Sequence, residues 1–265
     1  MLLEDRNAVV YGGGGVIGAA VARAFAREGA RVFLAGRRQA ALDTVAGEIE
    51  AAGGRADTAV VDAMDTVSVE EHAAGVAAGA GTIDIAFNAV GVAHVQGTPL
   101  ADLTVEDYAY PVTVYTQTNF ITAKAVARYM VEQRSGVILT ITTPAGLMPG
   151  PGFLGHSVAC AGVEGLTRHL AGELGASGVR VVCIRAHAIP EAVPLGSHSR
   201  DVFGMVAGPA GITVDEMLAG AADGTLLKRL PTLAEVADTA VFLVSDRAGA
   251  MTGAVANLTA GMTLD

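Results

Sequence analysis

A doubly wound α/β fold, with a mainly parallel sheet covered by helices on both faces, is what the 265-residue sequence predicts, and three observations lead there. Apolar runs rich in Val, Ile and Leu alternate with amphipathic stretches along nearly the whole chain, the pattern of buried parallel strands joined by covering helices. A glycine cluster, Gly12 to Gly15, stands directly between the first apolar run and the first amphipathic stretch. A content of 51% hydrophobic and 17% charged residues fills the core of one full-sized domain, 1–265, and excludes disorder and coiled coil.

Each element has its own warrant. Asn7 to Tyr11 is an apolar strand, Val16 to Glu28 an amphipathic helix, and Gly29-Ala30 a helix stop before the strand Arg31 to Ala35. A second helix is expected over Ala40 to Ala52, which completes a βαβ unit. The alternation continues with strands at Thr58 to Val61 and Ile83 to Phe87 around a helix at Ser68 to Gly79. A long helix over Val112 to Gln133 leads to a strand at Val137 to Ile141, and a helix over His156 to Leu174 leads to one at Val179 to Ile184. Prolines and glycines then interrupt 188–225, with a short helix expected at Val214 to Gly220. An insertion after a parallel strand's carboxyl end is where ligand lids sit, and the plainer alternative is a surface excursion. A helix over Leu233 to Ser245 and a strand at Val255 to Leu258 close the sheet.

The charge balance narrows the partners. Lys+Arg 17 against Asp+Glu 27 gives a formal net charge of −10, the wrong sign for wrapping nucleic acid or docking on anionic lipid. Mean hydropathy is +0.46, yet Gly, Asp, Arg or Pro breaks every apolar stretch short of the ~18–20 residues a membrane span needs. The surplus apolar surface is expected at subunit interfaces of a homo-oligomer. Two cysteines, Cys160 and Cys183, are too few for a disulfide framework, and no long apolar run follows Met1, so a reducing, cytoplasmic setting is expected.

The segment from Tyr11 to Gly18 satisfies G-x-G-x-x-G through Gly13, Gly15 and Gly18. Between a first strand and a first helix, bare backbone approaches a pyrophosphate at the positive end of that helix. The expected contacts are Gly12, Gly14, Gly15, Ile17 and Gly18; a flexible turn is the alternative. Where an acidic residue would hold the ribose of NAD, the second strand ends in Gly36-Arg37-Arg38. Two guanidinium groups there favour a 2′-phosphate, hence NADP(H) over NAD(H). Asp62 is placed to accept from an adenine amine, or else caps a turn.

Taken in order and spacing, these features resemble the short-chain dehydrogenase/reductase family from Leu3 to Leu264. Val61-Asp62 is similar to its adenine-contacting segment, and Asn88-Ala89-Val90-Gly91 to its N-N-A-G motif. Gly136 to Gly146 resembles the strand that carries its serine, and Ala161 to Thr167 with Glu173-Leu174 its active-site helix. Leu233 to Ala237, Phe242-Leu243 and Ser245-Asp246 resemble its last helix. The resemblance implies a Rossmann-like sheet of seven parallel strands, a homo-oligomer (dimer or tetramer), a dinucleotide cofactor contacted also by Asn88, Gly91 and His187, and a carbonyl or alcohol substrate.

The departures concern the chemistry. The family's serine, tyrosine and lysine map onto Thr143, His156 and Cys160, and its helix asparagine onto Tyr115, with Asn119 one turn later. No tyrosine lies in the carboxyl-terminal half and the only lysines are Lys124 and Lys228, so no Tyr-x-x-x-Lys exists in any register. Val16 stands for a loop glycine and Ala186-His187 for the family's Pro-Gly. His156 can exchange a proton near neutrality, or simply fills a helix start. Thr143 keeps a hydroxyl, Tyr115 offers a phenol or is an ordinary core aromatic, and Cys160 reads as a small packed residue. Neither a metal site nor a Cys-His nucleophile is indicated. The expectation is an NADP(H)-dependent oxidoreductase working through His156 and Thr143, with a non-catalytic dinucleotide-binding sensor or partner subunit as the alternative.

Overall fold

The computed structural model describes residues 1–264. Its strands are β1 (Asn7–Tyr11), β2 (Arg31–Gly36), β3 (Arg55–Val60), β4 (Ile85–Asn88), β5 (Gly136–Thr142), β6 (Val179–Ala186) and β7 (Val255–Leu258). They form one seven-stranded sheet in the order β3-β2-β1-β4-β5-β6-β7, parallel throughout. The helices are α1 (Val16–Arg27), α2 (Gln39–Ala51), α3 (Thr66–Ala80), α4 (Val105–Gln133), α5 (Leu154–Leu174), α6 (Ser199–Ala207), α7 (Val214–Gly224) and α8 (Leu233–Val244).

The period-two alternation of the strands divides the core. Val10, Leu34 and Phe87 point to the face covered by α1, α2 and α8, while Val9, Phe33 and Ala86 point to the face covered by α3, α4 and α5. Strand order reverses between β1 and β4, so a crevice opens above their carboxyl ends.

Differences from the expected elements have local causes. Helix α4 begins at Val105 rather than Val112, because Thr104 caps it by accepting from the Asp107 N–H at 3.1 Å. Pro111 lies buried inside that helix and does not start it. In 188–225 the sequence reading missed α6, and α7 runs to Gly224 rather than Gly220, started by a capping box between Thr213 and Glu216. The outer strand β3 begins three residues early, at Arg55 rather than Thr58, because its pairing with β2 extends back to Arg31.

Candidate active site

At the crevice, the tight turn between β1 and α1 is set by backbone packing. Gly12 has φ +79°, and a Cβ there would lie 2.7 Å from the Ala89 carbonyl; a Cβ on Gly18 would lie 2.3 Å from the Gly12 oxygen. No side chain caps Gly15 at the start of α1, so the first-turn N–H groups face the crevice with the positive end of the helix dipole. Val16 and Ile17 are both half-buried and pack against the core under α1, and Ile17 also lines the cavity beside the loop.

At the end of β2, Arg37 and Arg38 are exposed and make no ion pair among the described residues. Asp62 accepts from the Met64 N–H at 3.0 Å, the turn-capping alternative, and its second oxygen has no partner among the described residues. Asn88 is occupied internally: its amide donates to Thr122 Oγ1 at 3.0 Å and accepts from the Val90 N–H at 3.0 Å.

The mapped catalytic positions meet above β5. Thr143 Oγ1 lies 3.1 Å from His156 Nε2 and 3.3 Å from Cys160 Sγ, and the imidazole and thiol are 3.6 Å apart. The i, i+4 spacing on α5 puts His156 and Cys160 on one helix face, and the Thr143 hydroxyl also accepts from the Ala145 N–H at 3.3 Å. Tyr115 comes across from α4, its hydroxyl 3.5 Å from the Val92 oxygen and its ring edge-on to His156. Asn119 donates to the Tyr115 carbonyl at 2.8 Å, within its own helix. Below the cluster, Glu164 of α5 and Arg185 of β6 form a buried two-point ion pair at 2.7 and 2.8 Å, with Thr142 donating to the same carboxylate at 3.1 Å.

Sequence reasoning missed two residues here. His94 stacks on His156 with ring centroids 4.8 Å apart, held by a hydrogen bond to the Val92 oxygen at 2.8 Å and by Gln96 at 2.9 Å. His198, from the segment leading into α6, lies over Gly91. Both come from irregular segments with no periodic pattern, and only the count of six histidines hinted at a cluster.

Electrostatically the cluster is neutral. Burial, then the neighbouring His94 and His198, hold the His156 imidazole down to about 3. Burial also raises the Cys160 thiol and the Tyr115 phenol. A cavity of about 160 Å³ joins these groups to Ile17 and Gly91. Among the described residues, three buried polar atoms on its walls have no hydrogen-bond partner: His156 Nδ1, His187 Nε2 and Ser199 Oγ. The Ala188 N–H donates to His187 Nδ1 at 2.6 Å, so His187 carries its proton on the unpartnered Nε2.

Fold and crevice together define a Rossmann-like domain of the doubly wound class. A family model described as Enoyl-(Acyl carrier protein) reductase matches residues 14–263. The 3-oxoacyl-[acyl-carrier-protein] reductase FabG of Chlamydia muridarum is 29% identical over 98% of this chain and 98% of its own. An uncharacterized oxidoreductase of Mycobacterium tuberculosis is 32% identical, covering 98% of this chain and 93% of its own. Among solved structures, sorbitol-6-phosphate 2-dehydrogenase SrlD from Erwinia amylovora superposes with a TM-score of 0.88 at 27% identity, over 97% of this chain and 100% of that one. NAD+-bound xylitol dehydrogenase shares the fold with a TM-score of 0.89 at 23% identity, over 98% of this chain and 100% of that one. The chain belongs to the short-chain dehydrogenase/reductase family, of oxidoreductase type, and membership implies a nicotinamide dinucleotide cofactor. No helix among the described residues is long and apolar enough to cross a membrane.

Proposed function

We propose that the protein is an NADP(H)-dependent oxidoreductase acting on a carbonyl or alcohol, with Thr143 and His156 at the substrate oxygen. The observation that carries this reading is the apolar cavity above β5 and β6, whose walls hold buried polar atoms of His156, His187 and Ser199 in want of a partner. Unpaired buried donors and acceptors are costly unless a polar ligand or water meets them.

The residues fit the adenosine and phosphate end of the cofactor. Gly12, Gly14, Gly15, Ile17 and Gly18 would hold the pyrophosphate at the start of α1, and Arg37 and Arg38, free of acidic partners among the described residues, would hold a 2′-phosphate. Asp62 would take the adenine amine on its remaining oxygen, and Gly91 and His187 would flank the nicotinamide end, while Asn88 shapes the turn after β4. When bound, the cofactor supplies or accepts a hydride at the substrate carbon.

The chain's own residues handle the oxygen. The Thr143 hydroxyl and the imidazole Nε2, 3.1 Å apart, can converge on one substrate oxygen. With its pKa held at about 3, His156 works as a neutral ring, a hydrogen-bond donor rather than an imidazolium. Protonated at Nε2, the neutral ring can donate a hydrogen bond to that oxygen, while its Nδ1 has no protein partner among the described residues. Cys160 fills the space at the base of the cluster, and Tyr115 walls its far side. Segment 188–225, with α6 and α7, shapes the substrate end within a single domain. A homo-oligomer, dimer or tetramer, is supported by the exposed Phe120, Val158 and Phe242 on α4, α5 and α8.

A second reading, a non-catalytic dinucleotide-binding sensor or partner subunit, draws on the neutrality of the cluster, which offers no ammonium beside the imidazole. The deciding experiment is thermal-shift titration with NADPH and NADH, followed by a carbonyl-substrate screen of wild type, His156→Ala and Cys160→Ala. The proposal expects the larger shift with NADPH, and turnover lost in His156→Ala but kept in Cys160→Ala. Binding without turnover favours the second reading, and turnover that survives in His156→Ala removes the assigned role of the imidazole.

A further inference from the structure

A dinucleotide whose pyrophosphate lies at the start of α1 must run in two directions from the β1/β4 reversal. One half crosses β2 and β3, and the other crosses the end of β4 at Gly91 on its way to Thr143 and His156. The first path is open: Arg37, Arg38 and Asp62 are exposed along it. The second is not. A Cβ placed on Gly91 would lie 2.3 Å from His198 Cε1 and 3.0 Å from its Nδ1, so the imidazole rests directly on the glycine.

The strap that carries it also helps wall the cavity, which Ser197, Val202 and Phe203 line together with Ile17 and Thr143. The remaining space, about 160 Å³, falls below the ~300–1,000 Å³ typical of ligand pockets. The His198 ring makes no hydrogen bond among the described residues; it is seated by packing on Gly91, with the Asp201 carboxylate of α6 nearby.

We propose that His198 competes with the nicotinamide half of the cofactor, so that with the strap in place the groove is a site for the adenosine 2′-phosphate half by itself. The inference rests on the reading of the crevice as an NADP(H) site and adds what that reading lacks, a side chain that sets which part of the ligand is held. Binding of the full dinucleotide then includes lifting the strap, and its affinity is reduced by the fraction of molecules whose strap is already up.

The test is calorimetric titration of wild type, His198→Ala and His198→Asn with adenosine 2′,5′-bisphosphate, NADP+ and NAD+. In wild type, the bisphosphate and NADP+ should bind within about threefold of one another, whereas either His198 variant should tighten NADP+ by about tenfold if the strap is up in about a tenth of molecules. The bisphosphate should be unaffected by the substitution. Hydrogen exchange gives a readout that does not depend on the variants: protection of 190–207 should persist with the bisphosphate and change with NADP+. NADP+ binding far tighter than the bisphosphate in wild type, with no gain in either variant and no change in exchange, overturns the proposal while leaving the cofactor reading intact. Absence of binding by all three nucleotides overturns both.

Discussion

Replacing Glu164 with Gln should destabilise the protein by about 3–5 kcal/mol, the usual cost of breaking a buried ion pair by removing one partner. The carboxylate is 5% and the guanidinium 4% exposed, so neither charge has water to fall back on. Both carboxylate oxygens are used, Oε1 by Arg185 Nε at 2.7 Å and Thr142 at 3.1 Å, Oε2 by Arg185 Nη2 at 2.8 Å. An amide keeps one acceptor and turns an NH2 group toward the guanidinium, losing one bond and opposing it with a donor. For a chain of this size about 2–4 °C in Tm accompanies each kcal/mol, so a fall of roughly 6–20 °C is expected by calorimetry. The double variant Glu164→Leu/Arg185→Met removes both charges and should recover much of the loss. A fall of under about 1 kcal/mol in Glu164→Gln would mean that water already reaches the pair, and the description of a dry junction between α5 and β6 would be wrong.

Arg37→Ala and Arg38→Ala should each weaken NADPH by about 10-fold or more, the worth of a charge-assisted hydrogen bond, and leave NADH nearly unchanged in a fluorescence titration; equal losses for both nucleotides would count against a 2′-phosphate site. Acid should unfold the protein in part through His156. Its folded value, about 3, lies below the unfolded value of ~6.5, so its contribution is complete above pH 6.5 and declines as pH falls from there toward 3. The slope of unfolding free energy against pH should therefore drop by up to about 1.4 kcal/mol per pH unit in His156→Gln across that window. Gly18→Ala would drive a methyl to 2.3 Å from the Gly12 oxygen, a backbone atom that cannot rotate away. A loss of about 1–3 kcal/mol is expected in urea denaturation, together with weaker nucleotide binding.

The sheet was readable because its signals are local. Runs such as Val9-Val10 and Val181 to Ile184 read as strands buried on both faces, and the glycine at 18 answers to the Gly12 backbone within the same βα turn. Boundaries shifted where a distant cue competed, as when Thr104 started α4 well before Pro111. Helix α6 was missed because Gly204 and the flanking glycines hide nine helical residues of which only Val202 and Ala207 are buried, too few to show a periodic apolar face.

The site divides along the same line. Thr143, His156 and Cys160 were found at their spacing because strand end and helix start fix their separation in sequence. His94 and His198 lie 62 and 42 residues away from His156, on segments of irregular backbone, and no periodicity points them at α5. Their effect is nevertheless chemical, since together with burial they decide the protonation state of His156. A histidine read alone from sequence carries its ordinary value near ~6.5 and promises an acid. Placed among two other imidazoles in an apolar cavity, the same side chain is confined to its neutral form. Any proton it delivers at neutral pH therefore starts from the neutral ring. The pH dependence of turnover should then be flat from pH 6 to 8 instead of breaking near ~6.5, and a break near that value would show that the cavity opens and rehydrates His156 during the reaction.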